Sequence, residues 1–382
     1  MENQLLCEKK QLDTKQLYTL IFIIMMSMKM FMVPALLIHE AGRDSYFIML
    51  FFIVIEIIAL FVSLMAIKIA DTDIYTLIES TYGKIFTTIL MVIISAYHIL
   101  KIVLIISEVK MFFLFSASEE FSWEVYIIPL LVFLLGVSVK TLSGIGRLAQ
   151  ILLPIIVVST LMLFVLVVDR VDYTNFLPVL ANGKEGVVNG IKKYPVWFGD
   201  LPMISFCCGK VKKKKGFVWK SMISVSISAI VVLFFSSVLF LTYAYLYPMV
   251  DYGQNISNMV VYTAGNYMYG RFDLIIFCVW LTSVFIQMVF MTYVTVRHFC
   301  YIFKANKTFV CAMAVISILY ILSIIVFKSE IKLYNFCMGF PRYFTILNTV
   351  LLPILALIAA ISYTKKNKKG ENYDTQPQNS CV

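Results

Sequence analysis

Apolar runs of roughly 20 residues follow one another from residue 17 almost to residue 363, with only short polar stretches between them. The hydrocarbon core of a bilayer is about 30 Å thick, so one such run, coiled as a helix, crosses it once. No water in lipid satisfies a bare amide, and a helix bonds its own backbone within the segment. The runs are continuous rather than alternating, which excludes the short strands of a membrane barrel. The pattern predicts an all-α integral membrane protein of about ten spanning helices, near 16–38, 46–67, 85–109, 125–139, 149–168, 194–209, 217–246, 272–302, 308–327 and 344–363.

Little is left over for anything else. Charged residues make up only 14% of the chain, against about a quarter in a soluble protein, so no soluble domain can be carved from it. Residues 1–15 read as a cytoplasmic segment, 16–363 as the membrane domain and 364–382 as a disordered polar tail. No cleavable signal peptide is visible near Glu2, Glu8, Lys9 and Lys10, and the apolar run behind them is long enough to span.

Orientation follows from the basic residues. With the N-terminus inside, the inner segments hold about 20 of the 32 lysines and arginines, which puts both termini in the cytoplasm. The net charge of +10 is therefore a topology signal and calls for no nucleic acid. Its densest part, Lys210 with Lys212 to Lys215, reads as an anchor beside anionic headgroups or as a dock for an acidic cytoplasmic partner. The eight cysteines lack metal-binding spacing and read as small packing residues. Neither a metal nor another cofactor is expected. The motifs of zinc hydrolases, serine hydrolases and phosphate-binding loops are absent from the sequence, and His39, His98 and His298 are scattered along it.

Ionisable groups at mid-bilayer are costly, so each is a candidate for function. Lys29 lies near the centre of the first span, in Met26-Ser27-Met28-Lys29-Met30, ahead of Pro34. Asp200 holds a similar place in the sixth, in Pro195-Val-Trp-Phe-Gly199-Asp200-Leu-Pro202. Two prolines and a glycine at that spacing cannot continue a regular helix, so the sixth span is expected to be broken, with its freed backbone groups facing a cavity. Interrupted first and sixth spans suit a transporter of two five-helix inverted repeats, with its binding site at the midplane between the breaks. The plainer alternative is that Lys29 and Asp200 form a buried ion pair holding the two halves together.

In the third span Tyr97, Lys101 and Glu108 share one helical face, which a lipid-exposed helix would not carry. His98 beside them reads as a satisfied core residue or as a flank of that stripe, and Glu56 in the second span as a paired structural carboxylate. Ser283 and Gln287 in the eighth share a face by their spacing and suit interhelical hydrogen bonds.

With these features the chain resembles the spore germination permeases, the B subunits of Ger-type germinant receptors in the amino acid–polyamine–organocation superfamily. The likeness covers nearly the whole chain. It is carried by Met25 to Pro34 followed by Ala41-Gly42-Arg43-Asp44, by Gly144-Ile-Gly146-Arg147 running to Pro154, and by Asn175-Phe-Leu-Pro178-Val-Leu. Tyr247-Pro248-Met-Val, Gly270-Arg271-Phe272-Asp273 and Trp280-Leu-Thr-Ser-Val-Phe complete it. The resemblance implies a LeuT-like 5+5 fold with helices 1 and 6 broken, in the inner membrane of a dormant spore. It also implies partners, an A subunit with a large soluble domain and a C-subunit lipoprotein, and a small-molecule germinant such as an amino acid.

By position, Ser27 falls where the family has a small residue in the unwound first helix, and Phe198, Gly199 and Asp200 fall at the break of the sixth. Lys29 departs from a frequent glycine, and Asp200 from a common glutamate. A ligand is then expected between the broken helices, under spans three, eight and ten. Backbone amides would take its carboxylate, Asp200 would hold an amine or be neutralised by Lys29, Tyr97 and Phe198 would cap it, and Phe344 is a further candidate. A proton-coupled amino-acid transporter using the same cavity, with Asp200 or Glu108 cycling protons, is the competing reading.

Overall fold

The computed structural model describes residues 12–30, 32–116, 124–167, 184–243, 273–327 and 330–374, with Thr174 and Leu180 besides. Its described residues form helices: α1 (Thr14–Met26), α2 (Met32–Ala41), α3 (Ser45–Ile69), α4 (Ile74–Tyr82), α5 (Lys84–Ser116), α6 (Glu124–Ser138) and α7 (Leu142–Val167). After these come α8 (Glu185–Lys193), α9 (Phe217–Tyr243), α10 (Asp273–Phe303), α11 (Thr308–Phe327), α12 (Glu330–Met338), α13 (Arg342–Ile346) and α14 (Leu352–Asp374). Among the described residues, six helical stretches are long and apolar enough to cross a membrane. The outward surface is inverted relative to a soluble protein: Ile58, Ile151, Leu161 and Val165 are all well exposed, as lipid contact permits.

The two interruptions expected from sequence are present. The first span stops at Met26, turns through Ser27 and a short 3-10 segment, Met28–Met30, and resumes as α2. The sixth is only two 3-10 segments, Pro195–Trp197 and Leu201–Cys207, joined through Phe198, Gly199 and Asp200. The second of these packs along α3, while α1 packs on α9 and α7, and α10 on α7 and α5.

Several features differ from the sequence reading. The segment between the second and third spans, expected as a loop, contains α4, which buries Ile74, Leu77 and Ile78 and packs under α14. Helix α7 starts seven residues before the predicted 149, because Gly146 lets it lie directly on the first span: a Cβ there would stand 2.7 Å from Leu12 Cδ1 and 2.8 Å from Gln16 Cβ. The last helix runs on to Asp374, into the tail expected to be disordered from 364, since extending an existing helix needs no new nucleus. Lys366 in that extension donates to the Ser80 carbonyl at 3.1 Å. The outer segment 248–271 and Phe272 lie outside the described residues, so that of the motif Gly270-Arg271-Phe272-Asp273 only Asp273 is described.

The segments flanking the two breaks are tied together on the lysine-rich side. Leu12 makes an isolated parallel bridge with Val211 through Leu12 N to Lys210 O at 2.8 Å and Lys212 N to Leu12 O at 2.9 Å. Lys214 then bonds Asp13 at 2.7 Å, Lys213 bonds Asp71 at 2.6 Å and Lys210 meets Asp73 at 3.2 Å. Three of the lysines read from sequence as an anchor beside headgroups or a dock for an acidic partner thus pair with carboxylates of this chain.

Candidate functional site

The site grows from the backbone groups that the two breaks set free. Pro195 and Pro202 lack amide donors, and Gly199 takes φ +82°, a left-handed conformation that a side chain disfavours. A Cβ on Gly199 would also collide with Thr349 Oγ1 and come within 2.9 Å of Thr345 Cγ2, so only glycine fits. Side chains from three other helices satisfy what the break exposes. The Phe198 carbonyl accepts Lys101 Nζ at 2.7 Å and Tyr97 OH at 3.2 Å. The Gly199 amide donates to Glu56 Oε1, and the Gly199 carbonyl accepts Asn348 Nδ2 at 2.8 Å. Asn348 projects from a π-helical turn, Leu347–Leu351, a local widening that recurs where a helix carries function. The first break is held in the same manner: the Ser27 amide donates to Ile23 O at 3.0 Å, and its hydroxyl meets both Ile24 O and Gln287 Oε1.

Four buried charges close the centre. Lys29 Nζ lies 3.1 Å from Asp200 Oδ2 and 3.2 Å from Glu56 Oε2, and Lys101 pairs with Asp200 Oδ1. None of the four side chains is more than 1% exposed. Two ammoniums and two carboxylates cancel, and that balance lets the group survive burial: an unmatched ion there would cost several kcal/mol, of order 3–5 when one partner is removed. Beside the quartet, the Trp197 indole donates to Glu108 Oε1 at 3.0 Å, and Phe198 stacks on Phe52 with centroids 4.2 Å apart.

A family model described as spore germination protein matches residues 11–332. The chain belongs to that family. No curated protein matches it in sequence. Among solved structures, the fold is similar to that of the Eremococcus coleocola manganese transporter. Two mutants of that transporter match at 10% identity and TM-score 0.57, over 95% of this chain and 88% of that one. The same transporter in complex with an aromatic bis-isothiourea substituted compound matches at 11% identity, with the same score and coverage. At such identity the likeness carries the fold alone: this spore germination protein is a multi-pass membrane protein of a transporter fold.

The structure of this spore germination protein brings eight of the ten predicted site residues to the two breaks. Ser27, Lys29, Tyr97, Lys101, Phe198, Gly199 and Asp200 lie at the two breaks or touch them directly. Gln287 reaches the first break, and Ser283, one turn earlier on α10, bonds its own helix at Trp280 O, 2.8 Å away. Phe344 is the second residue, after Ser283, that does not reach a break. It packs against Phe340 at 5.2 Å, and the last span meets Gly199 instead through Thr345, Asn348 and Thr349. The π-helical turn rotates the helix there, and a π-turn has no clear signature in a single sequence.

Glu56 was read from sequence as a paired carboxylate, and it is one, but its partners are Lys29 and the Gly199 amide of the site itself. Only the position of Glu56 near the middle of its span pointed to that. His98 departs from the first of its two readings, a satisfied core residue: it is fully buried, yet neither ring nitrogen has a hydrogen-bond partner among the described residues. Among those residues no group of three or more His, Cys, Asp or Glu gathers as a metal ion requires. The two central carboxylates already face ammonium groups.

Proposed function

We propose that the chain is the nutrient-sensing B subunit of a spore germinant receptor, built as two five-helix inverted repeats with ten spans and broken helices 1 and 6. It takes a small polar solute, such as an amino acid, at the quartet of Lys29, Glu56, Lys101 and Asp200. The observation that carries this reading is the occluded, charge-balanced quartet sitting on both backbone breaks. A zwitterion is net neutral, so it can enter such a centre by exchange: its ammonium displaces a lysine from Asp200 or Glu56, and its carboxylate takes the released ammonium or an amide at a break. Each exchanged pair redraws the contacts that hold the break of the first span, α3 and α5 around the sixth span, and differential contact of that kind is what shifts a resting equilibrium. In this reading the protein lies in the spore inner membrane and passes the change to an A subunit and a C-subunit lipoprotein.

The fold neighbours are transporters, and this favours a second reading, a proton-coupled amino-acid transporter using the same centre. One experiment separates the two. The gene is deleted in its spore-forming host, germination is scored against amino acids, sugars and salts, and vegetative uptake is measured alongside. Loss of response to one nutrient class with uptake intact supports the sensor; normal germination with impaired uptake rejects it.

A further inference from the structure

Away from the quartet, the outward side of the bundle carries a groove of about 600 Å³ between α3 and α9. That volume is in the range of pockets that hold small molecules. The groove begins where α3 stops and α9 starts: Lys213, just ahead of α9, donates to the carbonyl of Ala70, just past α3, at 2.5 Å. From there the two helices run side by side in opposite directions. Phe61, Met65 and Lys68 share one face of α3 by their spacing, and Met222, Ile223 and Ile230 share one face of α9. The walls are apolar and open outward, with Phe61 and Ile230 well exposed.

One end of this groove is basic. Lys68 and Gly216 line it there, and a Cβ on Gly216 would meet nothing within 4 Å. Lys215 precedes that glycine and Lys220 follows Trp219, another lining residue, and both lysines are exposed. The first-turn amides of α9, which have no acceptor within the helix, open at the same end. Three aspartates of this side are taken by other lysines: Asp13 by Lys214, Asp71 by Lys213 and Asp73 by Lys210. Among the described residues no carboxylate pairs with Lys68, Lys215 or Lys220, and none of the lining residues is acidic.

Length separates the candidate occupants. From Val218 to Ile230 α9 rises about 18 Å, little more than half of a hydrocarbon core of about 30 Å. A partner helix that crosses the membrane would seek a seat along the whole core, whereas a lipid of one leaflet needs only half. Unmatched cations and free amides at one end, with apolar walls beyond them, complement an anionic headgroup above an acyl chain. We propose that the groove between α3 and α9 binds an anionic phospholipid of the leaflet on the lysine-rich side. Its phosphate lies among Lys68, Lys215, Lys220 and the N-terminus of α9, and one acyl chain runs along Met65, Met222 and Ile230.

The test uses the full chain in vesicles of phosphatidylcholine with a minority of phosphatidylglycerol, one lipid or the other carrying bromine on its chains as a quencher. Trp219 lines the groove and is 71% exposed, whereas Trp197 and Trp280 are buried, so the fluorescence lost in Trp219→Phe reports the groove. Phosphatidylglycerol is expected to bind beside Trp219 about tenfold more tightly than phosphatidylcholine. Replacing Lys68, Lys215 and Lys220 together by glutamine brings that ratio close to one. Ser226→Phe fills the groove from an exposed lining position and keeps every lysine, and it too lowers the ratio toward one. A ratio unchanged by Ser226→Phe means that anionic lipid gathers at the lysines without entering the groove, which overturns the proposal. A ratio unchanged by the triple replacement overturns it as well. Equal quenching by the two lipids marks ordinary boundary lipid, and quenching by neither marks a groove covered by a second copy of the chain; either result rejects the site.

Discussion

Asn348 donates its amide to the Gly199 carbonyl at 2.8 Å, bridging the π-helical turn of the last span to the break of the sixth. The contact joins residues 149 apart in sequence at the place where both helices depart from regular geometry. It makes the last span part of the site.

Replacing Asn348 by leucine leaves the Gly199 carbonyl buried and unsatisfied, at about 1–3 kcal/mol. The nutrient concentration for half-maximal germination should rise roughly tenfold in spores carrying Asn348→Leu. Phe344→Ala, on the same helix but against Phe340, should leave it unchanged, and a shift of equal size in both would place Phe344 back in the site.

Lys29→Met strips one ammonium from two carboxylates and should lower stability by about 3–5 kcal/mol. Adding Glu56→Gln restores the charge balance, so the double variant should recover much of that loss. Thermal unfolding of the four proteins in detergent, read as a double-mutant cycle, gives the coupling directly. The response to nutrient should be absent in both variants.

Gly199 and Gly83 both have positive φ, +82° and +86°, but only Gly199 is crowded, since a Cβ on Gly83 meets nothing within 4 Å. Gly83→Ala should therefore show the backbone cost alone, about 1–3 kcal/mol, because φ 86° with ψ 163° is a conformation only glycine adopts readily. Gly199→Ala adds overpacking of about 1–3 kcal/mol and should abolish the response, with both compared by unfolding and by germination assay.

The hydrogen bond from Lys214 holds the Asp13 carboxyl below its usual range. A depressed acid stabilises the folded chain above its unfolded pKa, near 3.8, and that contribution disappears as pH falls through the lower folded value. The pair is partly exposed, so the effect is small, about 0–1 kcal/mol. Asp13→Asn should lower the unfolding temperature slightly at neutral pH and converge with the unmodified protein as the pH falls through the lowered folded pKa.

Much of this centre was legible in the order of residues. Lys29 and Asp200 stand out because a charge at mid-bilayer is expensive, and Pro195, Gly199 and Pro202 mark a break because none of them can sustain the local helix. The stripe of Tyr97 and Lys101 follows from helical periodicity alone. Glu56 was visible as a mid-span acid but not as a neighbour of Lys29, and His98 and His298, 200 positions apart, gave no sign that their rings stack.

The apolar runs by themselves determined that this chain lives in a bilayer as helices, since lipid offers a backbone no other partner along a single segment. They also located the two breaks, which are local conflicts between residue type and helix. Which side chains meet at those breaks was decided only in three dimensions. The partners of Asp200, Gly199 and Phe198 come from the break of the first span, α3, α5 and the last span, and a buried charge or a freed carbonyl is satisfied by whatever packing brings within hydrogen-bonding reach. The π-helical turn that presents Asn348 in place of Phe344 belongs to the same class: it costs little locally, and the contact with Gly199 decides it.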